Sequence, residues 1–297
     1  MSDHLAIETA DLWKRYDDVE ALRGLNLQVP TGSICGFLGR NGAGKTTAIK
    51  VLLGMARPTK GTARVLGVAP NDAGAAAMRQ RIGFVSDEKD LYDYMTVGEI
   101  IAFTRPLFPG WRRELEQTYL ATFELPPHRG IKDLSRGTRT KLALLLALCR
   151  GAELLILDEP TSGLDPAMAE DVLRALVGHV AGQETTIFFS SHQLSEVDQI
   201  CDHVAIVDRG RLVLGGALDD LRGRYQRVQF VFAGEAPHAS LKTPGIVRVQ
   251  RQGRVLTVLT NDSEAVIADA RALSPASIDA SPVTLKDIFL ESVRTED

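Results

Sequence analysis

The sequence predicts an α/β fold: a mostly parallel sheet with an antiparallel β edge, an inserted helical lobe and a small α+β domain at the C-terminus. Three observations predict it. Strand-like apolar runs alternate with helical segments up to about residue 217, as in a parallel sheet covered on both faces. The stretch from about 96 to 150 is all-helical, and alternating strands return after residue 218. We therefore expect two domains, residues 1–217 and 218–297.

Composition and charge exclude several classes of function. The chain has 297 residues and a net charge of −4, with 44% hydrophobic and 24% charged residues, an ordinary globular balance. Because binding to a phosphate backbone requires a clustered excess of lysine and arginine, we expect no nucleic acid as main partner. The longest apolar run, residues 142–149, is far shorter than the ~20 residues of a membrane span. We expect any membrane crossing to be done by another subunit.

The elements of the first domain follow from apolar periodicity and from cap and turn residues. Strands are predicted at residues 25–29, 33–38, 82–85, 154–157, 185–189, 204–207 and 211–214. Helices are predicted at residues 46–53, 96–107, 115–123, 137–150, 171–180 and 195–201. The second helix opens with a capping box, Thr96 to Glu99, and Pro126-Pro127 ends the third.

The C-terminal segment has a different pattern. Its alternating residues predict antiparallel strands at 227–232, 246–251 and 255–260. Helices are predicted at 263–273 and 283–293. Together they predict the small α+β domain, with its boundary near residue 218.

A glycine loop lies between a predicted strand and a predicted helix. It reads Gly39-Arg40-Asn41-Gly42-Ala43-Gly44-Lys45-Thr46 and matches the phosphate-loop pattern G-x-x-x-x-G-K-[ST]. Its glycines let backbone N–H groups point at phosphate oxygens, and the helix adds its positive end. We expect Lys45 to reach the β- and γ-phosphates of ATP and the Thr46 hydroxyl to coordinate Mg²⁺. This context favours a P-loop NTPase core over an ordinary glycine-rich turn. The predicted nucleotide-binding residues here are Gly39, Asn41, Gly42, Gly44, Lys45, Thr46 and Thr47.

Two carboxylates follow the apolar run at residues 154–157. A parallel strand delivers Asp158 and Glu159 at its carboxyl end, beside the phosphate loop. We expect Asp158 to hold the Mg²⁺ shell and Glu159 to orient and polarise the attacking water, as phosphoryl transfer requires. The alternative is a strand that ends in a solvated acidic turn. The glycine loop makes that alternative much the weaker one.

A second anion site is indicated by Leu134-Ser135-Arg136-Gly137-Thr138, which precedes a predicted helix. The segment places a hydroxyl and a glycine N–H at a helix N-terminus. Two anion sites in one chain suggest a nucleotide held between two copies of the fold. Taken alone, the segment is better explained as an ordinary N-cap by Ser135.

The order of these motifs resembles the ATP-binding subunit of ABC transporters over roughly residues 5–218. The resemblance implies that Tyr16 stacks on adenine, although an aromatic ring packed on a strand edge is nearly as good an interpretation. It implies that His192, after Ser190-Ser191, touches the γ-phosphate, whereas a solvated histidine after a strand is the alternative. With Lys45 and Glu159, His192 completes the expected catalytic set.

The resemblance also implies a dimer. Leu134 to Thr138 is similar to the family signature Leu-Ser-Gly-Gly-Gln, whose serine and second glycine contact the γ-phosphate bound by the opposite subunit; here they are Ser135 and Gly137. Residues 162–165 resemble the loop that links the two sites of the dimer. In relatives a C-terminal extension regulates the ATPase or helps it dimerise, and a merely stabilising appendage is equally consistent with this sequence.

The sequence departs from the family pattern in two places. The signature has Arg136 at its third position and Thr138 at its fifth. If the usual glycine has a positive φ, Arg136 does not fit it easily; an alternative is that it adds positive charge near the nucleotide. Asp87 stands where the family usually has a glutamine that senses Mg²⁺ and the attacking water. A carboxylate still ligates Mg²⁺, so the predicted metal ligands are Thr46, Asp87 and Asp158.

The function implied is that of the ATP-hydrolysing motor of a transporter, most like the single-domain subunits of bacterial multidrug or ABC-2-type exporters. Two copies, or the chain and a homologue, close on ATP and pull on a separate transmembrane permease. The chain is then held at the inner face of the cell membrane. Residues 91–95 with Ile100, Phe103 and Phe108 are the expected docking surface, unless they pack the lobe internally.

Two other functions compete with the transporter motor. One is a soluble ABC-type ATPase that acts on ribosomes or DNA. Ribosome-acting relatives usually hold two ATPase units in one chain and DNA-acting ones insert coiled coils or zinc sites, whereas this sequence shows one unit and no such insertion. The other is a regulatory protein that holds ATP without hydrolysing it, against which Glu159 argues.

Overall fold

The fold is described from a computed structural model, for residues 5–182, 185–237 and 243–294. The chain forms two compact units, Met1–Gly215 and Gly216–Asp297. The strands of the first unit are β1 (Leu5–Tyr16), β2 (Val19–Leu25), β3 (Gln28–Pro30), β4 (Ile34–Leu38), β5 (Lys60–Val65), β6 (Ile82–Val85), β7 (Leu154–Asp158), β8 (Thr186–Ser191), β9 (His203–Asp208) and β10 (Arg211–Ala217). Its helices are α1 (Lys45–Leu52), α2 (Ala75–Gln80), α3 (Val97–Thr104), α4 (Arg113–Thr122), α5 (Arg136–Leu148), α6 (Pro166–Gly182) and α7 (Leu194–Ile200).

The centre of this unit is a six-stranded sheet in the order β10-β9-β4-β8-β7-β6. Neighbours from β9 to β6 pair in parallel, which confirms the predicted α/β fold with a mostly parallel sheet. All five residues of β4 and of β7 are buried, as expected of strands covered on both faces. The carboxyl ends of β4, β7 and β8 meet at one edge of the sheet. The glycine loop, the Asp158-Glu159 pair and His192 lie at those three ends.

A second, antiparallel sheet contains β1, which pairs with β2, β3 and β5. The predicted strand at 25–29 is therefore wrong in one respect: Leu25 ends β2 and Gln28 begins β3. The break has a local cause. Asn26 Oδ1 accepts the Asp11 N–H at 2.8 Å, and the Leu27 N–H donates to Thr9 Oγ1 at 2.8 Å, so side chains replace ladder bonds there.

The helical lobe lies between β6 and β7 and contains α3, α4 and α5. The capping box at its entry is confirmed, since Thr96 Oγ1 accepts the Glu99 N–H and Glu99 accepts the Thr96 N–H. The sequence predicted one helix at residues 96–107. In the structure the α-helix ends at Thr104, and residues 105–107 form a 3₁₀ turn. Pro106 lies in that turn, and it lacks the N–H that an α-helical turn needs.

The second unit holds α8 (Leu218–Arg224), β11 (Gln226–Val231), β12 (Ile246–Gln252), β13 (Val255–Thr260), α9 (Ser263–Arg271), β14 (Ser277–Pro282) and α10 (Leu285–Arg294). Its sheet is antiparallel, in the order β12-β13-β11-β14. Phe230, Leu256 and Val266 form part of a core between this sheet and α9. None of the helices in the described part of the chain combines the length and apolarity that crossing a bilayer requires.

Candidate active site

The glycine loop joins β4 to α1 and needs glycine for steric reasons. Gly44 has φ 104° and an added Cβ would lie 2.6 Å from Ala21 O. At Gly39 an added Cβ would lie 2.5 Å from Val207 O. The Lys45 ammonium closes the loop by donating to Gly39 O at 2.7 Å. Its side chain is buried, so the charge is held inside the curl of the loop.

A cleft of ≈ 580 Å³ opens above this loop. It contains most of the residues that the sequence predicted for the site, namely Asn41, Gly42, Gly44, Lys45, Thr46, Thr47, Asp87, Glu159 and His192. It also contains residues absent from the predicted site, namely Val19, Glu20, Ala21, Arg23 and Arg209, together with Arg40 of the glycine loop and Ser162 of the segment at 162–165. The cleft is therefore built from the loop, the ends of parallel strands and the neighbouring antiparallel strand β2.

The Glu159 carboxylate is held by two basic side chains. Its Oε1 lies 3.2 Å from Lys45 Nζ, and its Oε2 accepts a hydrogen bond from His192 Nδ1 at 2.8 Å. The glutamate side chain is only 13% exposed, whereas that of His192 is 43% exposed. The carboxylate thus lies at the floor of the cleft with a half-exposed histidine beside it.

Ser190, the next-to-last residue of β8, fixes Asp158 at the end of β7 and Glu159 immediately after it. Its hydroxyl donates to Asp158 Oδ1 at 2.6 Å and accepts the Glu159 N–H at 2.9 Å. Asp158 and Ser190 are both fully enclosed. Because β7 and β8 pair in parallel with Asp158 opposite Ser190, this serine connects the ends of both strands directly.

The turn after β8 is held in a similar way. Ser191 Oγ donates to the buried Glu196 carboxylate at 2.6 Å and accepts the Gln193 N–H at 2.9 Å. His192 lies between Ser191 and Gln193, which this hydrogen bond joins. Ser190 and Ser191, which precede His192 in the sequence, thus have separate structural roles: Ser190 holds the end of β7, and Ser191 holds the turn after β8.

Asp87 lies on the loop after β6 and its side chain is half exposed at the rim of the cleft. Its Oδ1 is 3.9 Å from the ammonium of Lys89, which is 7% exposed. Burial lowers the pKa of Lys89, and the Asp87 charge opposes that shift.

Tyr16, unlike Asp87, is not among the residues that line the cleft. It ends β1 and pairs with Val19, which does line the cleft. The Lys14 ammonium lies 4.5 Å from the centroid of the Tyr16 ring.

The comparisons with known proteins agree with this geometry. A family model described as ABC transporter matches residues 22–162, and one for an AAA domain matches residues 129–198. The chain is 35% identical to the daunorubicin resistance ATP-binding protein DrrA3 of Streptomyces coeruleorubidus, over 94% of this chain and 92% of that one. The chain belongs to the ATP-binding subunits of ABC transporters. The resemblance stated from the sequence is confirmed.

Two further matches support the same assignment. The Nod factor export ATP-binding protein I of Sinorhizobium fredii is 31% identical, over 96% of this chain and 85% of that one. A solved structure described as the ATP binding subunit of an ABC transporter superposes with a TM-score of 0.67 and 27% identity, over 74% of this chain and 92% of that one. This ABC subunit is an ATPase that binds and hydrolyses ATP to power transport.

The signature segment of the ABC subunit opens α5. Ser135 is exposed and caps the helix, its Oγ accepting the Thr138 N–H at 3.1 Å. Arg136 is the first residue of α5, so its backbone is right-handed and the expected conflict with a positive φ does not arise. An added Cβ at Gly163 would lie 2.6 Å from Arg136 Cζ, and one at Gly137 would lie 2.4 Å from Met168 Sδ. Ser135 and Gly137 are outside the lining of the cleft.

The metal-ligand prediction named Thr46, Asp87 and Asp158. Thr46 and Asp87 line the cleft, and Asp158 is buried at the end of β7 with Oδ1 engaged by Ser190. Within the described ranges no group of three or more histidine, cysteine or acidic side chains could hold a metal by itself. This donor set suits Mg²⁺, which uses one or two protein oxygens and completes its shell with water and substrate phosphates.

Proposed function

We propose that this ATPase drives an exporter through a separate membrane permease, which holds it at the inner face of the cell membrane. The supporting observation is the similarity over nearly the whole chain to subunits named for daunorubicin resistance and for Nod factor export. The second name describes export of a compound, and the first describes resistance to one, for which export is a suitable means.

Different residues at this site bind the phosphates, activate the attacking water and hold Mg²⁺. The glycine-loop N–H groups and Lys45 bind the phosphates of ATP, and Glu159 orients and polarises the water that attacks the γ-phosphate. His192, hydrogen-bonded to Glu159, aligns that carboxylate and contacts the γ-phosphate. Thr46 and Asp158 are the residues that would hold Mg²⁺, with Asp87 at its edge. Bound Mg²⁺ would neutralise charge on the β- and γ-phosphates.

The proposed dimer uses the start of α5, where Ser135 is exposed and Gly137 is buried. Ser135 and the backbone of Gly137 stand at the positive end of a 13-residue helix, where an anion is stabilised. We assign them to the γ-phosphate bound by a second copy. ATP added to the Glu159→Gln variant is expected to give a dimer in light scattering, and a further Ser135→Arg change is expected to keep it monomeric. A dimer that forms equally well with Arg at 135 contradicts this assignment.

An aromatic cluster on the helical lobe is the proposed permease surface. Tyr92, Tyr94 and Phe103 are 50%, 79% and 49% exposed. The Tyr92 ring lies 5.7 Å from that of Tyr94 and 6.0 Å from that of Phe103. Exposed aromatic groups of this kind mark interaction sites. Ile100, which the sequence analysis included in this surface, is buried and packs the lobe internally.

A cleft of ≈ 290 Å³, here called the lobe cleft, is lined in part by residues that immediately precede Tyr92 in the sequence. Its lining residues include Phe84, Lys89, Leu91 and Arg150. The Arg150 guanidinium lies 3.6 Å from the centroid of the Phe108 ring, so Phe108 is also engaged within the lobe. Two cationic side chains, Lys89 and Arg150, and one acidic side chain, Asp90, line the cleft. With this excess of positive charge, the cleft suits a short permease helix that carries an acidic residue.

Copurification tests the exporter proposal. A candidate ABC permease is tagged and co-expressed with the wild type or with the Tyr92→Glu/Tyr94→Glu variant. The wild type is expected to copurify and the double variant to be lost, because buried unpaired carboxylates oppose docking. Met55→Glu is the matched control, since Met55 is 62% exposed and lies outside the cluster. Retention of the double variant would show that the docking surface is elsewhere.

A further inference from the structure

Lys89 is a lysine with a nearly enclosed side chain to which the mechanism above gives no role. Its side chain is 7% exposed, and its ammonium donates to the main-chain oxygen of Glu159 at 3.3 Å. Asp87 Oδ1 lies 3.9 Å from the ammonium, and the charges of Arg136, Asp158 and Glu159 also act on it. Burial of an ammonium is unfavourable unless it is paired. The position of Lys89 therefore indicates a role in contacting the active site, not in keeping the surface soluble.

Glu159 has a backbone that requires such support. Its φ is 47°, in a region that non-glycine residues rarely adopt and keep only where neighbouring groups hold them. Ser190 Oγ holds its N–H at 2.9 Å. Its carbonyl oxygen accepts the Ser162 N–H at 3.2 Å and the Lys89 ammonium. Three separate segments therefore fix the peptide groups on either side of this carboxylate.

We propose that Lys89 is a positioning residue for ATP hydrolysis, which holds the Glu159 carbonyl and thereby keeps the Glu159 carboxylate aimed into the cleft. Lys89 contacts the Glu159 carbonyl, whereas Lys45 and His192 engage the Glu159 carboxylate. Lys89 is not among the residues that line the nucleotide cleft. It therefore acts on the nucleophile-activating residue without adding to the affinity for ATP.

Lys89 also lines the lobe cleft. A permease segment in that cleft would meet the same side chain that holds Glu159, a consequence that rests on the proposed function. The positioning role itself requires no permease. It is tested on the isolated full-length chain, so its failure is distinguishable from failure of the exporter proposal.

The experiment compares kcat, KM for ATP and the affinity for a non-hydrolysable ATP analogue. Lys89→Met keeps the aliphatic stem and removes the ammonium; it is expected to lower kcat about tenfold with KM and analogue affinity within about twofold. Lys89→Arg, which can still donate to a carbonyl, is expected to restore at least about half of kcat. Lys60→Met, at an exposed position of β5, is the matched control and keeps wild-type kinetics.

Three results would overturn the proposal. The first is an unchanged kcat in Lys89→Met. The second is a rise in KM with kcat unchanged, which indicates a nucleotide contact instead. The third is a loss of kcat that Lys89→Arg does not restore while both variants melt at the wild-type temperature. If Lys89→Met melts early, Lys89→Gln, which keeps an N–H donor of neutral charge, is measured instead and is expected to retain more activity than the methionine variant.

Discussion

The Lys45 ammonium lies 3.2 Å from Glu159 Oε1. Both side chains are nearly buried, at 7% and 13% exposure, so water screens their attraction weakly. The lysine that should bind the β- and γ-phosphates is therefore paired with the carboxylate that should activate water. ATP and Glu159 compete for one cation, and this competition links nucleotide affinity to the catalytic residue.

Glu159→Gln is expected to bind ATP about three- to tenfold more tightly than the wild type. The substitution removes the competing charge from Lys45 and also a negative charge beside the γ-phosphate. Equilibrium binding of a fluorescent ATP analogue measures the effect. Glu170→Gln, on the exposed face of α6, is the control and should leave affinity unchanged. Weaker binding by Glu159→Gln would show that the pair does not compete with nucleotide.

Ser190→Ala is expected to lower kcat at least about tenfold, because it releases both Asp158 and Glu159 from β8. It also removes buried hydrogen bonds worth ~1–2 kcal/mol of unfolding free energy. Thr185→Val provides the matched control, since its hydroxyl donates to Ala152 O at 3.1 Å in a buried position just before the same strand. Both variants should lose stability in denaturant titrations. Equal kcat values in the two would assign Ser190 a structural role alone.

Asp87→Gln is expected to leave ATP affinity within about twofold and to raise turnover several-fold. The amide keeps an oxygen at the rim of the cleft while removing negative charge from the surroundings of the γ-phosphate. Steady-state hydrolysis measures the change. Glu88→Gln, an exposed neighbour outside the cleft lining, serves as the control. Turnover identical to the wild type would exclude Asp87 from the catalytic surroundings.

His179 makes the first unit less stable in acid. Burial, with a smaller contribution from the Arg112 charge, lowers its pKa from 6.5 to about 4, and its Nδ1 lies 3.2 Å from the Tyr119 hydroxyl. Between these pKa values the unfolded chain binds the proton and the folded chain does not. Stability is therefore complete above pH 6.5 and falls as the pH approaches 4, by up to ~3 kcal/mol at ~1.4 kcal/mol per pKa unit.

Denaturant titrations at several pH values test this prediction. His179→Gln, which cannot be protonated, should reduce the loss of stability over that pH range. His128→Gln, at an exposed position, should leave the loss as it is in the wild type. An acid response that persists unchanged in His179→Gln would assign it to other groups.

The parts of the site that the sequence predicted are those defined by local spacing. The glycine loop and the Asp158-Glu159 pair each occupy a short run of residues after a buried strand, so their chemistry is visible before folding. The contacts of Lys89 and Ser190 with Glu159 join residues 70 and 31 positions apart. No local pattern encodes such contacts, because the order of strands in the sheet creates them.

For the same reason, the sequence analysis predicted neither β1 nor β5. The strand β1 alternates buried residues with polar ones such as Glu8 and Asp11, and β5 has three exposed residues in succession. Neither has the continuous apolar run that identified β4 and β7. They become strands because they pair with each other across the chain, and pairing of that kind overrides local propensity.

The most direct test of the account is the steady-state rate of ATP hydrolysis by the purified chain and by Glu159→Gln, with Mg²⁺ and saturating ATP. The wild type is expected to release phosphate continuously, and the variant is expected to do so at least about 100-fold more slowly while still binding ATP. Equal rates for the two proteins, or no hydrolysis by a wild type that binds ATP, would contradict the assignment of this cleft as a site of hydrolysis that depends on Glu159.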